Sequence, residues 1–202
     1  QPPKRWNLHT KVTLITTFAI VLVSLIWFLA VEWDNPALFK HADVETRMRR
    51  AMVAAVMPRS SGFDLSWVPQ VSEATKVFMS FVMFIGGGIR VTTFAVILLV
   101  CKAAFTGHSD VNAFHRRIHT HVIMTAVSIT TACFALVLVA SMALMLITDA
   151  SFSHALFDAC SAFGLGGYSV GVAQEGSDAA LYVLATTMVV GRLGPMTLAY
   201  AV

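Results

Sequence analysis

The 202 residues are 57% hydrophobic and 12% charged, with a mean hydropathy of +0.74 and a formal net charge of +3. A soluble domain carries about 25% charged residues, so half that share points to a membrane protein, and the positive excess is too small and too dispersed to suggest a nucleic-acid partner. Cys101, Cys133 and Cys160 lie in or beside apolar segments at no metal-like spacing and read as buried, unpaired thiols.

The chain opens on a polar leader, QPPKRWNLHTK, without an initiator Met or a signal-peptide pattern, and is expected to begin partway through a longer protein. Thr13–Val31 is an uncharged run close to the roughly 20 residues of a spanning helix, with Trp27 and Trp33 near its far end as expected of interfacial indoles. Glu32-Trp-Asp-Asn-Pro36 stops it. Ala37–Arg50 is polar and mixed in charge, Arg50–Val56 predicts a short alanine-rich helix, and Pro58–Asp64 breaks that helix around Gly62. Ser72–Val100 is long and apolar but carries Gly86-Gly87-Gly88 with Arg90 just after, which predicts a broken span, since glycines cost helix stability. A polar loop with Lys102, Arg116 and Arg117 covers 102–118.

Thr120–Thr148 is the next uncharged span. Ser153–Phe163 predicts a second short helix, with Ser153 as its cap, followed by the glycine-rich Gly164-Leu-Gly-Gly-Tyr-Ser-Val-Gly171. Asp178–Val202 is a final apolar segment, expected to be interrupted at Gly191-Arg-Leu-Gly-Pro195. A short helix and a glycine-rich extended loop between two spans is the plan of a re-entrant pore loop. Non-helical backbone at membrane depth survives only where it is buried in protein or lines a water-filled cavity, and its carbonyls can replace a cation's hydration shell. The chain therefore reads as two copies of span, short helix, glycine loop and broken span: 1–101 and 119–202, joined by a cytoplasmic linker at 102–118. Internal duplication of this kind is common in transport proteins.

Basic residues do not choose an orientation: Lys4, Arg5, Lys11, Lys102, Arg116 and Arg117 on one side balance Lys40, Arg47, Arg49, Arg50, Arg59 and Lys76 on the other. The acids are one-sided, with Asp110 alone on the linker side, so the opposite mouth is acidic and concentrates cations. His115, His119 and His121 lack an acid or Cys at metal-site spacing and sit with Arg116 and Arg117, so a cationic juxtamembrane loop is the better reading. Asp158 lies in the second short helix, where it either adds negative potential near the mouth or pairs with a base.

SAFGLGGYSVGV, VVGRLGPMTL, MPRSSGFD, FIGGGIRVTTF, RWNLHTK and VNAFHRRI together resemble the membrane subunits of the Trk/Ktr/HKT superfamily of potassium transporters, most closely the bacterial Ktr and Trk types, over nearly the whole chain. The resemblance implies an all-α integral membrane fold, potassium-channel-like, of span–pore helix–filter loop–span repeats. This chain matches the third and fourth of four repeats. The first two are then expected from a missing N-terminal half or from another chain, because two repeats cannot close a four-sided filter. By the same resemblance, Ser61-Gly62-Phe63 and Gly166-Gly167-Tyr168 are selectivity-filter positions, with potassium held by backbone carbonyls at Gly62 and Gly167. Glycine at both places matches the potassium-selective pattern.

Gly86, Gly87, Gly88 and Arg192 correspond to the family's gate: an intramembrane loop below the filter, shorter here by about seven residues than the family's pattern, and an arginine facing the pore. The resemblance further implies a homodimer of pore subunits in the lipid of the cytoplasmic membrane, and a cytoplasmic nucleotide-binding ring as regulator. No nucleotide is expected on this chain, and no nucleic acid. The expected activity is potassium uptake down its electrochemical gradient, without enzymatic chemistry. The rivals are a sodium-conducting or sodium/potassium-coupled member, which a serine at the first-repeat filter position would favour, and a membrane-embedded enzyme or assembly subunit, which would need clustered acids, His or Cys within the spans.

Overall fold

The computed structural model describes residues 8–39, 43–59, 65–89, 91–106, 112–113, 116–117, 120–175 and 178–201. These are mostly helical, with short loops between the helices and a two-residue antiparallel ladder, β1 (Asn112–Ala113) with β2 (Arg116–Arg117), in the linker. In order the helices are α1 (Leu8–Glu32), α2 (Pro36–Phe39), α3 (Val44–Val56), α4 (Glu73–Met83), α5 (Val91–Phe105), α6 (Thr120–Ile147), α7 (Phe152–Gly164), α8 (Val172–Glu175) and α9 (Asp178–Ala201).

Among the described residues two helices are long and apolar enough to cross a membrane, Thr10–Glu32 and Thr120–Ile147, and a third span results if α4 and α5 count as one. At about 1.5 Å per residue the 28-residue α6 extends roughly 42 Å, enough to cross a hydrocarbon core of about 30 Å with a tilt. Both long helices leave large apolar side chains uncovered, such as Phe18, Ile26, Val139 and Leu146, as lipid requires. The predicted break in Ser72–Val100 is present. Phe84–Gly88 is a single π turn closed by Ile89 N–H donating to Phe84 O at 2.9 Å, and the chain changes direction by 109° between α4 and α5.

The described residues gather into two apolar clusters. The first gathers Phe28, Leu38, Phe39, Ala51, Ala54 and Val71, with Phe28 meeting Phe39 and Trp67 edge to face. The second, larger one surrounds α7, whose Phe157 and Phe163 are almost completely buried among residues of α4, α6 and α9. The two are joined because α4, which follows the first cluster in the chain, packs along α7. A buried carboxylate ties α1 to α4: Glu32 Oε1 accepts from Ser72 N–H (3.1 Å), Thr75 Oγ1 (2.5 Å) and Ser72 Oγ, and Oε2 accepts from Asn35 Nδ2 at 2.6 Å. Burying a charge requires such compensation.

Several sequence expectations need correction. The first short helix spans 13 residues, Val44–Val56, not Arg50–Val56, and a 3₁₀ turn at Met57–Arg59 follows it. Its mixed charges look like a linker but are used locally. Glu45 sits in the first turn, and Arg47 and Arg50 donate to the carbonyls of Trp33 (2.7 Å) and Leu38 (2.5 Å). The last segment is unbroken, since α9 runs through Gly191 and Pro195 as one helix. Ser151, not Ser153, occupies the N-cap position of α7. Cys101 is exposed, whereas Cys133 and Cys160 are buried thiols as expected. Trp27 stacks on Phe78 at 4.7 Å between α1 and α4.

Candidate filter loop and its supports

The glycine-rich stretch is ordered as a loop because α7 ends abruptly. Leu165 adopts the left-handed conformation (φ 54°, ψ 37°), Leu165 N–H returns to Ala162 O at 3.3 Å, and Gly166 N–H returns to Ser161 O at 2.9 Å. This is a Schellman-type closure, with a leucine where glycine is the usual occupant. The next three residues diverge in their surroundings. Gly166 is buried, and a Cβ on it would lie 2.8 Å from the Met83 Sδ. Gly167 has φ 79° and is exposed. Tyr168 is 2% exposed, and its hydroxyl is buried without a partner among the described residues. Gly171 also has positive φ (97°), so with Leu165 and Gly167 the stretch turns three times into backbone that L side chains rarely adopt before α8 begins.

Behind this loop stands Asp158, 3% exposed. Its Oδ1 accepts from Val170 N–H (2.9 Å), and its Oδ2 accepts from Ser169 Oγ (3.0 Å) and Val172 N–H (3.2 Å). Ser169 Oγ in turn accepts from Gly171 N–H at 3.0 Å. Of the two roles the sequence left open for Asp158, neither describes this: its bonds go to the loop that follows its own helix. Sequence spacing alone does not reveal it, because the contact depends on the chain reversing after Leu165.

The helix pair α4–α7 frames the loop. At one end Lys76, 5% exposed, places Nζ 2.8 Å from Glu73 Oε1 and 2.9 Å from His154 Nε2, and Ser153 Oγ donates to Glu73 Oε2. At the other end Phe84 stacks on Phe163 with centroids 5.8 Å apart, and Met83 lies against Gly166. The two helices therefore run parallel, start with start and end with end. On the far side, α9 meets α7 at Gly191, where a Cβ would fall 2.3 Å from Phe163 O.

The other predicted positions distribute as follows. Gly86, Gly87 and Gly88 form the C-terminal part of the π turn, which packs against α7. Arg192 is exposed on α9 beside the Gly191 contact. Ser61, Gly62 and Phe63 lie outside the described residues, as do Arg90, His115 and His119, so the structure brings together only the fourth-repeat half of the expected filter. The arrangement presents a helix ending in backbone with inverted dihedrals, anchored by a carboxylate on one side and open at Gly167. Such a loop can direct carbonyl oxygens at a cation.

Comparison with known proteins gives a consistent result. The sequence model of TrkH, a cation transport protein, matches residues 1–202. The chain is 29% identical over 205 residues to the Ktr system potassium uptake protein B of Bacillus subtilis (strain 168), covering 98% of this chain and 46% of that protein. It is 31% identical over 204 residues to the Ktr system potassium uptake protein D of the same organism, covering 98% and 45%. It is 28% identical over 209 residues to the potassium/sodium uptake protein NtpJ of Enterococcus hirae, covering 98% and 46%. The chain thus spans about half the length of the curated relatives it matches.

Proposed function

The chain belongs to the TrkH family of cation transport proteins, which are not enzymes, and from that premise we propose that it supplies two of the four repeats of a potassium-selective pore. Potassium passes through a filter to which this chain contributes backbone carbonyls at Ser61-Gly62-Phe63 and Gly166-Gly167-Tyr168. The first two repeats, from an N-terminal half or another chain, complete the ring. The observation that carries the reading is the loop after α7: Gly167 is exposed at φ 79° while its neighbours Gly166 and Tyr168 are buried. That loop lies in a chain whose relatives are named for potassium uptake.

In this reading the π turn at Gly86–Gly88 and Arg192 form the gate below the filter, and the acids of the outer mouth raise the local cation concentration. The pore lies in the cytoplasmic membrane as a multi-pass protein and pairs as a homodimer. The naming of its relatives as parts of a Ktr system supports a partner subunit, which we assign as a cytoplasmic nucleotide-binding regulator. A second reading, sodium conduction or sodium/potassium coupling, is favoured by the relative named for potassium/sodium uptake.

The test is cation uptake by a potassium-transport-deficient bacterial strain carrying the complete four-repeat protein, wild type against Gly167→Ser. Wild type restores growth at low potassium, and the substitution lowers the preference for potassium over sodium. Equal preference in the two strains removes Gly167 from the ion path and the filter assignment with it. A wild type that takes up sodium as readily as potassium establishes the second reading.

A further inference from the structure

Asp158 is built into the loop more thoroughly than a merely buried acid requires. Both carboxylate oxygens are occupied, and among the described residues every donor to them lies in the segment 169–172. The N–H of Gly171, which the carboxylate does not reach, is taken by the Ser169 hydroxyl that itself donates to Asp158. Three consecutive amides, those of 170, 171 and 172, are therefore drawn back toward α7. A trans peptide unit is planar, with its carbonyl opposed to its N–H, and no peptide bond here is cis. The carbonyls of Ser169, Val170 and Gly171 consequently turn away from α7, to the side opposite Asp158. The helix that carries Asp158 cannot easily yield, since Phe157, Ala159, Ala162 and Phe163 around it are all buried in the larger core.

We propose that Asp158 is a positioning residue of the ion path: by holding the amides of 170–172 it aims the carbonyls of Ser169, Val170 and Gly171 at the passing cation, extending the coordinating stretch beyond Tyr168. This rests on the filter reading of Gly167. Asparagine has the same shape, but one of its two positions becomes a donor, and Val170 N–H and Val172 N–H approach from different oxygens. One loop amide loses its acceptor whichever way the amide is turned. Glutamate keeps the charge with a longer reach. Ser169→Ala removes the relayed bonds and leaves both direct amide bonds in place.

The test compares Asp158→Asn, Asp158→Glu and Ser169→Ala with wild type and with Gly167→Ser in the complete transporter, reading potassium uptake in competition with sodium, normalised to the amount of protein in the membrane. Asp158→Asn is expected to lower the potassium preference roughly tenfold, the ratio corresponding to one charge-assisted hydrogen bond. Ser169→Ala should lower it less, and Asp158→Glu should recover part of it. A purely structural role would reduce maximal uptake of both ions together and leave the preference unchanged. If Gly167→Ser alters the preference and the three other variants do not, the filter stands and the role of Asp158 is overturned. If Asp158→Asn fails to reach the membrane, Ser169→Ala and Asp158→Glu decide, and wild-type preference in both overturns the proposal. If Gly167→Ser also leaves the preference unchanged, the filter reading itself fails and this inference falls with it.

Discussion

Replacing Gly191 by alanine sets two effects of opposite sign against each other. In a helix interior glycine is worse than alanine by about 1 kcal/mol, so if Gly191 only interrupts the final apolar segment, Gly191→Ala stabilises the protein. The structure predicts the reverse. α9 is continuous through this position, and the new methyl would lie 2.3 Å from Phe163 O and 3.0 Å from the Cα and carbonyl carbon of the same residue. Those atoms are backbone at the end of α7, and no rotamer change can move them aside. α7 and α9 must separate by about an ångström, and overpacking of this kind costs about 1–3 kcal/mol. With an unyielding obstacle the upper end applies, leaving a net loss of about 2 kcal/mol after the helix-propensity gain. Thermal unfolding of the purified complete protein in detergent reads this as a lower melting temperature. Because Phe163 is two residues from the start of the loop, potassium uptake should fall as well. A melting temperature that rises on Gly191→Ala would refute the close-packing argument.

Three further outcomes follow from single contacts. Leu165→Gly relieves a left-handed backbone (φ 54°) and should raise thermal stability by about 1 kcal/mol, and a lower melting temperature would show that the partly buried leucine side chain matters more than its dihedral. Glu32→Gln keeps the shape of a fully buried side chain but sets a donor against Asn35 Nδ2 or the hydroxyls of Ser72 and Thr75, at a cost of about 1–3 kcal/mol. An unchanged denaturation midpoint would mean that α1 and α4 are not held through this carboxylate. Gly166→Ala meets the thioether of Met83 at 2.8 Å, a flexible group that can move. Its effect on stability should stay below about 1 kcal/mol and couple to Met83→Leu by at least about 0.5 kcal/mol in a double-mutant cycle. Additive effects of the two substitutions would contradict the contact.

The long uncharged runs at Thr13–Val31 and Thr120–Thr148 and the short helix at Ser153–Phe163 were legible in sequence, with ends within a few residues of α1, α6 and α7. Hydropathy and glycine content act locally, and these elements obey them. The misreadings share a different cause. The start of α3 is hidden among Asp43, Glu45, Arg47, Arg49 and Arg50, which look like a solvated linker until the carbonyls of Trp33 and Leu38 are brought within reach of the arginines. Gly191 looks like a breaker until a neighbouring backbone is placed against it. Asp158 could not be assigned from spacing, because its partners at 169–172 arrive only after the chain has reversed at Leu165. Glycine announced the loop, and tertiary contact decided how the loop is held.

The parallel alignment of α4 with α7 has an electrostatic consequence. Peptide dipoles in a helix add to an effective charge of about −0.5 at its C-terminal end. Here two such ends, the π turn that continues α4 and the end of α7 at Gly164, lie side by side, pinned by the stacking of Phe84 on Phe163 and by Met83 against Gly166. Their opposite, positive ends share one carboxylate, because Glu73 sits in the first turn of α4 and also accepts from Ser153 in the first turn of α7. The two helices thus add a standing partial negative charge beside the glycine loop, distinct from the side-chain charge of Asp158 behind it. A cation stripped of water there is stabilised by it, and because this charge belongs to the backbone, no change of pH can remove it.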